Sequence, residues 1–216
     1  MKPWFGSLLL PRLSLIVSAP AVPGSPVPSG IKVSANHRFL VTEGGTPFVY
    51  LGDTAWALFS SLKREEASIY LEKRRPEGFT VIQAALTFSQ TNTYAKFAFQ
   101  EDNDKIANYY HHLPTKPIMD GEPSYEWHPV DFDVSKGRIS PHDLRTFAYW
   151  EVLAGACGFT YGHFVVFPFA VGGPRGTPRT GMSEGWRGAL DAPSAQQMEH
   201  LKALVLCRAY LDRVPD

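Results

Sequence analysis

The stretch "FVYLGDTAW", residues 48–56, and the stretch "FTVIQAALTF", residues 79–88, decide the fold of this chain. The first is a short apolar run that enters a Gly-Asp-Thr turn. The second is almost continuous in apolar and β-branched residues, which is typical of a strand buried on both faces. Between them, residues 62–78 carry a helical pattern, with Ser61 as the predicted N-cap. The apolar face of this helix contains Ala67, Tyr70 and Leu71. Strand, helix and strand in this order predict a βαβ unit and an α/β fold.

The second half of the chain repeats this order. Residues 115–123 predict a strand that ends in polar residues, residues 140–143 predict a helix cap, and residues 158–169 predict a buried strand. The helix after the cap has an apolar face of Leu144, Phe147, Ala148 and Val152. Residues 194–211 predict a last amphipathic helix, and its apolar stripe contains Met198, Leu201, Leu204 and Val205. A closed eight-stranded barrel needs ~250 residues, so a chain with about four such units is short for one.

Two further segments flank these units. Residues 31–50 contain two short apolar runs separated by the turn-forming residues 43–47, which predicts a small N-terminal β-hairpin. Residues 89–113 follow neither the helical nor the strand period. Within them, residues 94–99 indicate a strand and residues 104–110 indicate a helix.

Charge and the N-terminal segment narrow the class of protein. The chain has 216 residues with 21 basic and 21 acidic side chains, so no excess charge attracts nucleic acid or an anionic membrane surface. Residues 1–30 have the pattern of an export signal and linker: Lys2, an apolar stretch at 8–17, and small residues at 19–21. We therefore expect a secreted or periplasmic protein whose folded domain is residues 31–216, with no membrane-spanning segment.

Two motifs are weak candidates for a site. His111 and His112 are adjacent, with His128 further on, and they lack the helical or Cys-x-x-Cys spacing of a metal centre, so no metal is predicted. Residues 172–181 are rich in glycine and basic residues, but they lack the ending of a phosphate-binding loop and are expected to be a solvated loop. The chain's two cysteines are Cys157 and Cys207. Each is expected to be a small buried residue, and a bridge between them requires that their helices touch.

Five blocks of the sequence carry a more specific signal. They are "FVYLGDTAWALF" at 48–59, "REEASIYLEKRRPEGFTVIQA" at 64–84, "PTKPIMDGEPSYE" at 114–126, "AYWEVLAGACGFTYGH" at 148–163 and "WRGALDAPSAQQMEHLKAL" at 186–204. In this order they resemble the apiosidase-like glycoside hydrolases, a family of secreted (β/α)8 barrels often followed by a domain labelled putative collagen-binding. The resemblance implies hydrolysis of glycosidic bonds in plant cell-wall polysaccharides, with apiose-containing side chains of pectin as the substrate. No cofactor is implied, because the chemistry needs two carboxyl groups.

The chain departs from the family in its middle. Family members carry a long stretch of barrel between the second and third blocks, where this chain has only residues 86–114. Most of barrel units three to six is therefore expected to be absent, and the resemblance implies an incomplete (β/α)8 TIM-barrel-type domain. In the family that region supplies the acidic residue that protonates the leaving group, and no matching motif is found here. General acid catalysis contributes ~10² to 10⁴-fold, so the shortened chain is expected to have weakened or no activity.

Glu122 is the candidate catalytic residue. It ends the predicted strand in the sequence Asp-Gly-Glu-Pro, and the resemblance places it at the family's nucleophile position. The same motif places Asp120 beside the site, and Tyr125 offers a flat face for a sugar ring, as Trp127 also does. The structural alternative is that Asp120 and Glu122 cap a turn and that the aromatic side chains pack within a loop.

Other candidate substrate-binding residues follow the remaining strands. Asp53 would hold sugar hydroxyls while Trp56 forms the floor of the site; alternatively, Asp53 caps the following turn. Gln83 would donate to a sugar hydroxyl, or else face solvent. The last strand ends in Tyr161 and His163, which the resemblance places at the rim of the site; the alternative is a core tyrosine and a satisfied histidine.

Two other interpretations of the whole chain remain open. It is a non-catalytic carbohydrate-binding protein if it keeps the aromatic side of the cleft without the chemistry. It is an incomplete gene product without a stable fold if the exposed strand edges stay uncovered. A homodimer that covers the open edge of the barrel would stabilise it.

Overall fold

The computed structural model describes residues 30–85, 110–111, 113–172 and 184–215. The described residues form five strands: β1 (Ile31–Val33), β2 (Leu40–Thr42), β3 (Tyr50–Thr54), β4 (Val81–Gln83) and β5 (Gly158–Tyr161). They form five α-helices: α1 (Leu58–Ser61), α2 (Arg64–Arg74), α3 (Pro141–Leu153), α4 (Gly185–Ala189) and α5 (Pro193–Leu206). Short 3₁₀ turns occur at Val130–Phe132, Val134–Lys136 and Tyr210–Asp212.

The centre of the fold is a parallel sheet with strand order β4-β3-β5. Asp53 of β3 pairs in register with Ile82 of β4 on one side and with Tyr161 of β5 on the other. Because the three strands are parallel, their carboxyl ends lie at the same edge of the sheet. The α/β fold with parallel strands that the sequence predicts is therefore confirmed.

The two long helices of the predicted units begin at well-formed caps. At α3, Ser140 Oγ accepts from the Asp143 amide at 3.2 Å, and Asp143 Oδ2 accepts from the Ser140 amide at 2.9 Å. This capping box confirms the predicted start of the helix. At α2, the prediction that Ser61 is the N-cap is wrong. Ser61 is the last residue of α1, and the amide of Lys63 instead donates to Glu66 Oε2 at 3.1 Å.

The main core lies between the sheet and helices α3 and α5. Leu51 of β3 and Phe159 of β5 are buried there against the predicted apolar faces of the two helices. The buried side chains on these faces are Leu144, Ala148, Val152, Met198, Leu201 and Val205, with Phe147 partly buried. Leu204 belongs to the predicted stripe but is exposed, because it lies on the far side of α5. Each fully buried side chain of this size contributes ~1.5 to 3 kcal/mol.

Some predicted strands differ in the structure. The segment 116–120 is not a strand, although Ile118 accepts a hydrogen bond of 2.8 Å from the Cys157 amide and so runs beside the start of β5. Strand β5 ends at Tyr161, because the carbonyl of His163 accepts from Val166 and Phe167 and turns the chain.

At the N-terminus, β1 pairs antiparallel with β2. The loop between them is 34–39, and the predicted turn at 43–47 instead follows β2. The cysteines are both free. Cys157 is buried as expected, but Cys207 is exposed because it directly follows α5 at the surface.

Some predictions lie outside the described residues. They are the signal-like segment up to residue 29, the strand at 94–99, the helix at 104–110 apart from Tyr110, and the loop at 173–181. Across the part of the chain that the structure describes, no helix has both the length and the apolar composition needed to cross a membrane.

Candidate active site

The candidate site lies at the carboxyl edge of the parallel sheet, on the face opposite helices α3 and α5. Side chains alternate between faces along a strand, and residues paired in register share a face. Thr54 pairs with Gln83, and Gly52 pairs with Thr160, so these side chains share the face opposite Leu51 and Phe159. The hydrogen bond of 3.1 Å from Gln83 Nε2 to the Tyr50 hydroxyl also lies on this face.

Glu122 is held on this face by two donors. Trp56 Nε1 donates to Glu122 Oε1 at 2.9 Å, and the Tyr125 hydroxyl donates to the same oxygen at 2.5 Å. Trp56 Nε1 also lies 3.0 Å from the Tyr125 hydroxyl, so the three groups form a closed triangle. Two donors on one oxygen stabilise a negatively charged carboxylate. The structure thus brings together three residues that the sequence predicts for the site.

Tyr125 remains a neutral donor. Burial raises the pKa of its phenol well above the usual value, and the negative charge of Glu122 raises it further. The ring packs over Gly162, where an added β-carbon would overlap the Tyr125 ring, so a glycine is needed at that position.

The backbone before Glu122 is also fixed. Asp120 Oδ1 accepts from the Glu122 amide at 2.9 Å, which closes a tight turn of the Asx type. At Gly121 a β-carbon would lie 4.0 Å from Gln83 Nε2, so this turn and the Gln83 amide are neighbours. Asp120 therefore orients Glu122 by closing this turn. This agrees with the alternative interpretation of the sequence, in which Asp120 caps a turn.

Gln83 has a free acceptor beside the turn. Its Nε2 donates to the Tyr50 hydroxyl, and Thr160 Oγ1 lies at the limit of hydrogen bonding, 3.5 Å away. Its Oε1 is buried and has no hydrogen-bond partner among the residues that the structure describes. A buried amide oxygen without a partner costs ~1 to 3 kcal/mol, and a sugar hydroxyl donating to it would remove that cost.

Asp53 is not at this site. It is fully buried on the helix side of the sheet, where its Oδ2 accepts from the Tyr70 hydroxyl at 2.5 Å and from Arg74 Nε at 2.6 Å. Burial raises the pKa of Asp53, and the charge of Arg74 opposes that shift. We therefore assign Asp53 a structural role in place of the predicted contact with sugar hydroxyls. The reason is the alternation of the strand: Thr54, not Asp53, faces the site.

Tyr161 and His163 are likewise buried rather than at the rim. The Tyr161 hydroxyl donates to Glu126 Oε2 at 2.9 Å. His163 Nδ1 accepts from the Val165 amide at 3.1 Å, and burial lowers the pKa of the ring to about 3, so it is neutral. Tyr161 is therefore a core tyrosine, and His163 is a buried histidine with a hydrogen-bond partner. This is the alternative that the sequence analysis gave for both residues.

Sequence reasoning missed Tyr50, Thr54 and Thr160, which surround Gln83 and Tyr125. Tyr50 and Thr160 contact Gln83, and Thr54 lies close to the Tyr125 hydroxyl. Their signal in the sequence is the period of two along β3 and β5, which places positions 50, 52 and 54 on one face. Within the described ranges, three other carboxylates near this edge, Asp53, Asp120 and Glu126, are engaged elsewhere. No group of potential metal ligands occurs within those ranges either.

Comparisons with known proteins agree with this architecture. The family described as "Apiosidase-like, catalytic domain" matches residues 34–103 and 86–212. A solved structure named "Glycoside hydrolase" is 21% identical with a TM-score of 0.70, and the match covers 86% of this chain and 76% of that one. A glycoside hydrolase family 5 structure from Bacteroides vulgatus ATCC 8482 is 19% identical with a TM-score of 0.72, covering 87% and 74%.

At these identities the two structures establish the fold alone. A comparison with curated proteins gave no match. The family match extends over more than half of the residues and includes the stretches that hold Trp56, Gln83, Glu122 and Tyr125. This chain belongs to the apiosidase-like catalytic-domain family of glycoside hydrolases.

Proposed function

We propose that this chain hydrolyses glycosidic bonds in plant cell-wall polysaccharides, with apiose-containing side chains of pectin as the substrate and Glu122 as the catalytic carboxylate. The observation that carries the proposal is the pair of hydrogen bonds from Trp56 and Tyr125 to Glu122 Oε1. A carboxylate oriented in this way at the carboxyl edge of a parallel sheet is placed where barrel enzymes keep their catalytic groups.

The geometry suits Glu122 to the role of nucleophile or base rather than acid. Glycoside cleavage needs one carboxyl group that is charged and one that carries a proton. Trp56 and Tyr125 both donate to Oε1 of Glu122, an arrangement that suits a carboxylate acting as an acceptor and not as a proton donor. Oε2 is then the oxygen that attacks the anomeric carbon or activates a water molecule. The free acceptor of Gln83 would orient a sugar hydroxyl beside it.

A second function, binding without turnover, is favoured by one observation. Asp53 is bound to Arg74, Asp120 to the Glu122 amide, and Glu126 to Tyr161. None of these three supplies a second carboxyl group on the Glu122 face in the described part of the chain. A cleft with one carboxylate and aromatic walls would still recognise a neutral carbohydrate.

The experiment compares the full chain with two variants, Glu122→Gln and the exposed Glu199→Gln as a matched control on α5. Release of sugar from apiosides and pectin fragments is measured beside binding by titration calorimetry. Turnover that disappears in Glu122→Gln and persists in Glu199→Gln supports hydrolysis. Binding without turnover in the unmodified chain supports the second function. Turnover that survives in Glu122→Gln overturns the assignment of Glu122.

We also propose that the protein acts outside the cell and pairs with a second copy. The first proposal is supported by the signal-like pattern of residues 1–30. The second is supported by the short central sheet, whose edges would need a cover if the chain lacks part of the barrel. Recovery of the protein from the medium tests the first proposal. Size-exclusion chromatography of that secreted protein tests the second.

A further inference from the structure

Gly52, in the middle of β3, leaves room for a side chain of its own strand. A β-carbon added at Gly52 would lie 2.9 Å from Cε1 of Tyr50 and 3.3 Å from Thr160 Oγ1. The first separation is well inside the ~3.5 to 4.0 Å of ordinary carbon contacts, so the Tyr50 ring occupies the space above Gly52. Positions 50 and 52 share a face of β3, and the absence of a side chain at Gly52 lets the ring lie along the sheet.

From this position Tyr50 reaches Gln83 on the neighbouring strand. The Tyr50 hydroxyl accepts from Gln83 Nε2 at 3.1 Å, and Gln83 is the last residue of β4, which pairs with β3. Thr160 Oγ1, from β5 on the other side of β3, lies 3.5 Å from the same nitrogen. Tyr50 therefore makes the shorter of the two contacts that hold the amide nitrogen.

The contact with Tyr50 fixes which end of the Gln83 amide stays free. An amide side chain has a donor end and an acceptor end, so a group that binds one end also sets the direction of the other. Here Nε2 is bound, and Oε1 is buried without a partner among the residues that the structure describes. The last torsion of a glutamine is broad, so the two ends would exchange places easily if the Tyr50 hydroxyl were absent.

The amide lies next to the turn that precedes Glu122. A β-carbon at Gly121 would be 4.0 Å from Gln83 Nε2, and Asp120 closes this turn by accepting from the Glu122 amide. The group that Tyr50 holds is therefore at the edge of the candidate site, beside the turn that carries the candidate catalytic carboxylate.

We propose that Tyr50 is a positioning residue for Gln83, and that Gly52 is needed because it gives the Tyr50 ring its place. The Tyr50 hydroxyl holds the amide nitrogen, so that Gln83 offers its carbonyl oxygen to a sugar hydroxyl. The part that concerns the sugar rests on the proposed function. The part that concerns the amide does not, because the contact between Tyr50 and Gln83 exists in the free protein.

The test follows the side-chain amide resonances of Gln83 in the ¹⁵N-labelled full chain, assigned by their loss in Gln83→Met. A proton in a hydrogen bond resonates at lower field, so in Tyr50→Phe one of the two amide protons should move to higher field. Gly52→Ala keeps the hydroxyl but displaces the ring, so it should move the same proton in the same direction. The controls, Tyr149→Phe on α3 and Gly44→Ala, should leave both protons in place.

Two results would overturn the proposal. One is a pair of amide protons that stay in place in Tyr50→Phe, and the other is an equal movement in Tyr149→Phe. If Gly52→Ala does not fold, the comparison of Tyr50→Phe with Tyr149→Phe still decides.

The kinetic consequence is a change in KM rather than in kcat. Without the Tyr50 hydroxyl, the Gln83 amide has to be ordered when the sugar binds, which weakens binding roughly 5-fold. Where turnover of an apioside is detected, Tyr50→Phe should therefore raise KM by about that factor and leave kcat nearly unchanged. A fall in kcat at constant KM would contradict the role of Tyr50 in binding. Turnover absent from every chain refutes the proposed function and leaves the amide test intact.

Discussion

Trp56 Nε1 and Glu122 Oε1 lie 2.9 Å apart although their residues are 66 positions apart in the sequence. Trp56 follows strand β3, and Glu122 follows the segment beside β5. The contact therefore exists only when the parallel sheet has formed and both segments end at its carboxyl edge. Because of this contact, Trp56 is part of the site, and its indole N–H reports on the position of Glu122.

Removal of the Tyr125 donor should weaken catalysis without weakening binding. Tyr125→Phe deletes a hydrogen bond to a charged group, which is worth ~1.5 to 3 kcal/mol, so kcat should fall roughly 10- to 100-fold with KM nearly unchanged. Steady-state kinetics on an apioside measure both constants. Tyr149→Phe, on α3 and away from Glu122, is the control. An equal loss in both variants would contradict a specific role of Tyr125.

Arg74 should be essential for stability. It is 1% exposed and forms ion pairs with Asp53 at 2.6 Å and with Glu77 at 2.7 Å. Arg74→Met would leave two buried carboxylates without their cation, which costs ~3 to 5 kcal/mol. Urea unfolding measures the loss. The matched control is Arg187→Met, whose ion pair with Glu66 is partly exposed and worth at most ~1 kcal/mol. Similar losses in the two variants would refute the role of burial.

Glu151 should make the folded state less stable as the pH rises. Glu151 lies on α3 with 5% of its surface exposed, and burial raises the pKa of its carboxyl from 4.5 to about 9, so between these values folding takes up a proton. Stability is therefore complete below pH 4.5 and falls with rising pH, by up to ~1.4 kcal/mol per unit, until about pH 9. Urea unfolding at pH 5, 6, 7 and 8 should show this slope relative to Glu151→Gln. Parallel pH profiles for the two proteins would mean that Glu151 is not the titrating group.

Gly162 should tolerate no side chain. An alanine β-carbon there would overlap the Tyr125 ring, so Gly162→Ala should displace Tyr125 from Glu122. We expect a shifted Trp56 indole resonance and a loss of ~1 to 3 kcal/mol of stability from overpacking. In Gly44→Ala the nearest atom is Thr42 Oγ1 at an ordinary 3.8 Å, so this control should change neither quantity. An unmoved resonance in Gly162→Ala would refute the packing argument.

Local patterns predicted much of the fold correctly. The capping box of Ser140 and Asp143 and the apolar faces of α3 and α5 depend on residues three or four positions apart. The predicted cap at Ser61 failed because the chain forms the additional helix α1, whose formation depends on packing of Leu58 into the core. The strand predicted at 115–123 does not form, because an apolar run does not by itself provide a neighbouring strand that pairs with it along its length.

By itself, the sequence determined the alternation of strands and helices, the family, and the position of Glu122 after a segment that lies at the sheet. These follow from periodicity, caps and motifs, which act over short distances in the chain. Only the tertiary structure decided which side of the sheet each polar residue occupies. Asp53 and Thr54 are adjacent and point to opposite faces, and Asp53 lies on the helix side, where Arg74 of α2 binds it. Arg74 is 21 positions from Asp53 in the sequence and reaches it only when α2 packs on the sheet, so tertiary packing and not a local pattern supplied the partner of this buried carboxylate.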